Sequence, residues 1–275
     1  MKRLLYTVTI AVILSITHAS YAARSPQRII SLGPSITRQL YLLGVEDSLI
    51  GCTIYCEKPK EAKEKERVAN AIDVNLEKVI SLNPDLVLAT SLTNPKAIKK
   101  IEALGIAVIL FATPENFSQL CSQFAELAER LGKGERAQEI LTAVKDKVYL
   151  LKERVEGFKK TRVFIQVGAK PLFTQTRDSF INDLIEFAGG VNIASGAKSG
   201  FYSREKVIED NPEVIIITTM GITGEEEKNI WNKYKTLDAV RHNRIYILDP
   251  YKFCSVTPVS FAETLEEMVG ILHSQ

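Results

Sequence analysis

An internal repeat limits what this chain can fold into more than any other feature of its sequence. Residues 75–90 align without a gap on residues 203–218, and seven of the 16 positions are identical. Each copy opens on a helix-capping residue, Asn75 or Ser203, and carries the tetrapeptide Glu-Lys-Val-Ile into a short helix. An Asn-Pro pair then stops the helix, since the residue before proline is pushed out of the helical region. A continuous apolar run follows at 86–89 or 214–217, as expected for a strand covered on both faces of a parallel sheet. Matching punctuation together with matching residues points to duplication of a whole lobe.

The flanks of the repeat agree. Residues 28–32 and 162–167 read as strands that open the two halves, each followed by a Gly/Pro loop at 33–34 or 168–171. Helices are predicted over 35–43, stopped by Gly44, and over 179–188, stopped by Gly189 and Gly190. Late strands at 107–111 and 244–248 complete each half. Strands alternating with helices imply an α/β fold with parallel sheets and helices on both faces.

Between the halves runs an amphipathic stretch over 135–159. Ala137, Ile140, Leu141, Val144, Val148, Leu151, Val155 and Phe158 recur at three- and four-residue steps, one stripe of a helix. About 25 residues at 1.5 Å each span roughly 38 Å, enough to cross from one lobe to the other. A stripe that apolar must be packed, so the helix is expected to be a rigid strut that allows only small hinge motion. The organisation expected is a leader over 1–22, an N-terminal lobe over 23–132, the connecting helix over 133–160 and a C-terminal lobe over 161–275.

The leader carries Lys2 and Arg3 ahead of an apolar run at 4–16, and Ser20 and Ala22 place small residues at an export cleavage site. The run is too short to span a bilayer, which takes about 20 apolar residues. No cysteine follows it until Cys52, so a periplasmic protein without a lipid anchor is expected. Removing Lys2 and Arg3 from 35 basic residues leaves 33 against 33 acidic, a balance with little pull on nucleic acid or anionic lipid. His18 goes with the leader, and the remaining His242 and His273 are too few for a multi-histidine metal centre. Both read as solvated surface residues. Outside the cytoplasm Cys52, Cys56, Cys121 and Cys254 can form two disulfides in three connectivities or stay free as structural thiols.

Two parallel sheets that face each other line a shared groove with the loops beyond their strand ends. Those loops are 33–35, 53–56, 90–92, 168–174, 200–202, 219–221 and 250–254. They carry Tyr55, Phe173, Phe201, Tyr202, Tyr251 and Phe253, rings suited to a large, flat, partly apolar ligand. Pro34, Ser35, Thr90 and Ser91 add the loop edges and hydroxyls that would bond its polar rim. Lys170 and Lys252 are the cations an anionic ligand would need. No Gly-x-Ser-x-Gly elbow, phosphate-binding Gly-rich loop or metal-spaced His/Glu pair is present, so no enzyme is expected.

Arg28-Ile-Ile-Ser-Leu-Gly-Pro-Ser35, Tyr55-Cys-Glu-Lys-Pro59, the run from Val74 to Ala89, Gly168-Ala-Lys-Pro-Leu-Phe-Thr174, Gly189-Gly-Val-Asn192 and Ser203-Arg-Glu-Lys-Val-Ile208 together resemble the periplasmic solute-binding proteins of ABC importers. The class is the one with a helical backbone, class III, which serves cobalamin, haem and ferric siderophores, and the cobalamin branch is nearest. The resemblance implies two Rossmann-like lobes joined by one long helix and a monomer without a resident cofactor. It implies capture of cobalamin or a related corrinoid, the alternatives being haem or a ferric siderophore, for delivery to a permease dimer and its ATPase subunits. Tyr55 matches an aromatic that packs on the corrin, and Phe201 falls near the cleft aromatic of the second lobe. Glu77 and Glu205 match the lobe-top glutamates that engage arginines of the two membrane subunits. Their equivalent places in the repeat suit a symmetric permease dimer.

Overall fold

The computed structural model describes residues 26–70, 73–218 and 224–273; the leader lies outside them, as does the loop at 219–221. The first half contains β1 (Ile29–Ser31), α1 (Pro34–Leu42), β2 (Leu49–Thr53), β3 (Glu66–Ala69), α2 (Leu76–Ser81), β4 (Leu86–Thr90), α3 (Pro95–Ala103), β5 (Ala107–Phe111) and α4 (Phe117–Arg130). The long helix α5 (Gly134–Val155) leads to β6 (Thr161–Gln166), the small hairpin of β7 (Gly168–Ala169) and β8 (Leu172–Phe173), α6 (Phe180–Phe187), β9 (Gly190–Asn192), α7 (Arg204–Asp210) and β10 (Val214–Ile217). The chain ends with α8 (Gly224–Trp231), α9 (Asp238–Arg241), β11 (Ile245–Ile247), α10 (Tyr251–Cys254) and α11 (Pro258–His273).

Both main sheets are parallel. The first has the order β3-β2-β1-β4-β5 and the second β11-β10-β6-β9, so β1 and β4 correspond to β6 and β10, and among the described strands of these two sheets β3 is the one left unmatched. The repeat keeps its register: Leu86 faces Ile29, and Val214, its equivalent, faces Val163. It also keeps its turns. Asn83 and Asn211 both adopt left-handed backbone, with φ of 45° and 44°, a conformation asparagine tolerates better than most side chains.

An arginine at the start of each lobe fixes that turn. The Arg28 guanidinium donates to the Leu82 and Asn83 carbonyls (Nη2 at 2.5 Å, Nε at 3.0 Å), while the Arg28 amide donates to Asp85 at 3.1 Å. In the second lobe Arg162 Nε reaches the Asn211 carbonyl at 3.1 Å, and its amide donates to Glu213 at 2.9 Å. These bonds satisfy the carbonyls at which each short helix ends, and they tie the turn to the first strand of its sheet.

Helix α5 joins the lobes through its apolar stripe. Ala137 and Leu141 enter the first lobe's core with Leu40, Leu88 and Phe124, whereas Val144, Val148, Leu151 and Val155 enter the second lobe's core with Ile181, Leu265 and Met268. Each fully buried aliphatic side chain contributes about 1.5–3 kcal/mol, so the helix is anchored at both ends. It spans 22 residues, about 33 Å at 1.5 Å each. The predicted extension to 159 is corrected: Gly157 takes a φ of 81° just past the end, and Phe158 leaves the stripe to meet His273 edge-on at 5.0 Å. His273 is consequently half-buried, with Nε2 2.8 Å from the Ala188 carbonyl, and is no solvated tail residue. His242 is exposed and stays with its own turn, Nδ1 lying 3.0 Å from the Asp238 carbonyl.

Trp231, the chain's single tryptophan, is fully buried in the second lobe. Its Nε1 donates to Gln166 at 2.7 Å, Gln166 donates to the buried carboxylate of Glu227 at 2.7 Å, and the Arg204 guanidinium covers the indole at 4.5 Å. The polar sequence around Trp231 hid this role, because only one face of α8 turns inward.

Candidate ligand-binding cleft

The carboxyl ends of the two sheets face each other across a cavity of about 730 Å³. Its first-lobe wall is built by the turns after β1, β2, β4 and β5, and its second-lobe wall by the turn before α6 and the segment after β11. Close approach of the β1 and β4 turns sets the floor. A Cβ at residue 33 would lie 2.6 Å from Thr90 Cγ2, so only glycine fits there. Behind it Ser31 Oγ donates to the Gly33 carbonyl at 3.0 Å and accepts from Thr37 Oγ1 at 2.9 Å. Pro34 occupies the first turn of α1, whose N-terminus has no side-chain cap; its first free amides are donors available to a ligand.

Of the residues the sequence singled out, Pro34, Ser35, Tyr55, Thr90, Tyr251 and Phe253 line this cavity. Four lie elsewhere. Ser91 is exposed, its hydroxyl 3.2 Å from Thr113 Oγ1. Phe173 and Phe201 bridge β8 to the segment before α7 and meet edge-to-face at 5.2 Å, outside the cavity lining. Tyr202 is corrected from cleft to core. Alternation along an extended segment turns it to the face opposite Phe201. There its ring lies 5.8 Å from Phe164, and its hydroxyl donates to Asp210 at 2.7 Å. Burial and that carboxylate push the Tyr202 phenol well above its usual range.

Two carboxylates, Glu57 and Asp249, are the charged groups among the described lining residues. The expected cations are not in the wall. Lys252 is held by Glu267 at 2.5 Å, and Lys170 sits in the β7–β8 hairpin. Glu57 and Asp249 were missed in the sequence, as was the turn at 112–114. The rule that strand ends line the crevice, applied to the predicted strand at 107–111 and to that at 244–248, points to both segments.

The lobes also touch directly beside the cavity. Lys58 Nζ pairs with Asp249 at 2.6 Å and lies 4.9 Å from the Tyr251 ring centre, with the Arg38 guanidinium at 5.7 Å. The Tyr251 hydroxyl accepts from the Lys58 amide and donates to the Tyr55 carbonyl, both at 3.3 Å. Arg38 Nη1 crosses to the Ser255 carbonyl at 2.6 Å. The Lys58 ammonium and the Tyr251 amide hold the Asp249 carboxyl below its usual range against the opposing effect of burial, the largest single influence on it.

Glu77 and Glu205 sit in the first turns of α2 and α7, exposed and symmetry-equivalent. Asn75 and Ser203 cap those helices by accepting from the Lys78 and Lys206 amides, at 3.0 and 3.1 Å. The Glu205 carboxyl is held below its usual range, first by its own backbone N–H and then by the Ser203 hydroxyl.

No disulfide links the described residues. Cys121 is buried in the first lobe's core, where burial pushes its thiol up to about 11, and Cys254 is exposed on α10. Cys52 and Cys56 lie against each other under the Tyr55 turn.

A two-lobed cleft with an apolar floor and a helical backbone has close relatives. The chain is 32% identical over 211 residues to the vitamin B12-binding protein of Yersinia pseudotuberculosis, covering 76% of this chain and 75% of that one. It is 32% identical over 238 residues to the ABC transporter substrate-binding lipoprotein YvrC of Bacillus subtilis, covering 82% and 74%. The crystal structure of the periplasmic vitamin B12-binding protein BtuF of Vibrio cholerae superposes with a TM-score of 0.78 at 25% identity, covering 90% of this chain and 97% of that one. Residues 29–252 match the family described as periplasmic binding protein, and the chain belongs to that family.

Proposed function

We propose that this protein is the substrate-binding component of an ABC importer that captures a corrinoid, cobalamin or a close relative, between its lobes. The charge of the cavity wall carries the reading. Its charged residues among those described are Glu57 and Asp249, and Asp249 already has Lys58 as its partner. Haem would bring carboxylates and a ferric siderophore further anionic groups towards a lining whose described charges are both negative, while the neighbouring Lys58 and Arg38 are already engaged by Asp249 and the Ser255 carbonyl, an unfavourable placement inside a cleft. A near-neutral corrinoid meets no such cost. Its ring would lie on the apolar floor against Tyr55, its amides bonding to Ser35, Thr90 and the α1 amides.

A binding role without catalysis fits the two histidines, both of which serve their own backbone neighbourhoods. We place the protein in the periplasm after cleavage behind Ala22. Glu77 and Glu205 are assigned as the two contacts with arginines of the permease dimer. Titration with cobinamide, cobalamin and haemin, followed in the visible spectrum, tests the ligand. Sub-micromolar corrinoid binding without haem binding is expected, and the reverse preference would overturn it.

A further inference from the structure

The turn that carries Tyr55 into the cleft is built on a pair of cysteines. The Cys56 amide donates to the Thr53 carbonyl at 3.1 Å, curling the chain so that residues 52 and 56 face each other. Arg67 Nη1 holds the curl from outside. It donates to the Thr53 carbonyl at 2.7 Å, the Cys56 carbonyl at 3.3 Å and Cys52 Sγ at 2.8 Å. Inside, Cys56 Sγ lies 3.2 Å from Thr37 Oγ1 and 3.3 Å from Thr53 Oγ1. Thr53 and Tyr55 line the cavity, so whatever fixes this turn fixes part of the binding wall.

We propose that Cys52 and Cys56 are a disulfide-forming site: on folding outside the cytoplasm they join in a buried bond that closes a short ring around Thr53, Ile54 and Tyr55, while Cys121 and Cys254 remain thiols. The chemistry is thiol–disulfide exchange with an external disulfide. A thiolate attacks one sulfur of that disulfide and expels the other as a thiol, leaving a mixed disulfide. The second cysteine then attacks the mixed bond and expels the remaining thiol. In sum two protein thiols lose two protons and two electrons, one S–S bond forms, and the oxidant's S–S bond becomes two thiols.

The surroundings of the two sulfurs differ. Cys52 gives its proton into a hydrogen bond to Cys56, and the Thr37 and Thr53 hydroxyls add to that, lowering the Cys56 thiol to about 6 against the opposing effect of burial. The same bond, with burial, drives Cys52 upward. In the formed turn Cys56 is thus the more acidic of the two sulfurs. Both sulfurs are fully buried in the fold, so exchange belongs to the folding chain and the finished bond is shielded. The other two cysteines are not placed to compete, one being in the first lobe's core and the other on α10 of the second lobe.

The test uses the wild-type chain. The reduced protein is unfolded, refolded in a mixture of reduced and oxidised glutathione, alkylated under denaturing conditions and digested with trypsin. Both cysteines fall in the peptide from Gln39 to Lys60, since Lys58 precedes Pro59 and resists cleavage. This peptide is expected unalkylated and lighter by two hydrogens than its reduced form, with the Cys121 and Cys254 peptides fully alkylated. A doubly alkylated Gln39–Lys60 peptide, or one linked to Cys121 or Cys254, overturns the proposal. Hydrogen exchange adds the link to the cleft. Protein refolded under reductant should exchange the 53–57 amides severalfold faster than the disulfide form with β4 unchanged, and equal exchange in both redox forms would contradict the role in holding the Tyr55 turn.

Discussion

Lys58 and Asp249 meet at 2.6 Å across the junction of the two lobes, one beyond the β2 turn and the other beyond β11. Both side chains remain about half exposed, so the pair contributes at most about 1 kcal/mol to stability. Its larger effect is on opening, because it lies beside the mouth with Tyr251 under the ammonium. Lys58→Ala is expected to speed corrinoid release in stopped-flow displacement while the thermal midpoint shifts little. The difference from wild type should shrink in about 1 M salt, where screening extends only about 3 Å. The Asp249 carboxyl lies below its unfolded value, so its contribution is full above about pH 4 and is lost as pH falls through the lowered value. Release by wild type should accelerate over that acidic window, and release by Lys58→Ala should change less.

The left-handed asparagines that the two repeat copies share, Asn83 and Asn211, predict a graded loss. Replacing Asn83 by alanine imposes about 1–2 kcal/mol of backbone strain. Asn211→Ala adds the loss of bonds that Asn211 makes with Asp238, donating to its carboxylate at 3.0 Å and accepting from its amide at 2.9 Å. At about 0.5–1.5 kcal/mol for each bond, Asn211→Ala should be the more damaging in urea titration. Glycine at either site should recover the strain but not the Asp238 bonds. Equal losses at the two sites would refute this division.

The strut predicts a small amplitude of closure. Scattering from the free and corrinoid-bound protein should give radii of gyration that agree closely, since α5 is packed into both cores. Compaction by several ångströms would show that α5 bends. Leu141→Ala should cost about 2–5 kcal/mol by leaving a cavity in the first lobe's core.

The docking glutamates predict a separation of functions. Glu77→Ala with Glu205→Ala should leave corrinoid affinity unchanged, because both residues lie away from the cavity, and should reduce importer-dependent uptake in cells. Each single variant should lose less than the double. Full uptake by the double variant would remove the assignment.

Much of the fold was legible because its signals are local. The apolar runs at 86–89 and 214–217, their capped helices and the Asn-Pro stops need no distant partner to be read. The strut was legible as a stripe, and its last turn was misread because Gly157 breaks the helix without disturbing the apolar spacing that ends at Phe158. The cleft was harder. Tyr55 and Tyr251 follow from the strand-end rule, but Phe201 and Tyr202 are neighbours whose side chains part to opposite faces, and the bridge to Phe173 that decides between those faces is a pairing of distant segments. The Lys58–Asp249 contact joins residues 191 apart in sequence and leaves no local trace.

Because the only indole lies sealed in the second lobe under Arg204, its emission reports on half of the molecule. Denaturation followed at that wavelength traces the second lobe, whereas far-ultraviolet dichroism averages both. Coincident curves would mean that α5 makes the halves melt as one cooperative unit. A split would reveal the first half loosening independently and give a direct measure of mechanical coupling through the rod.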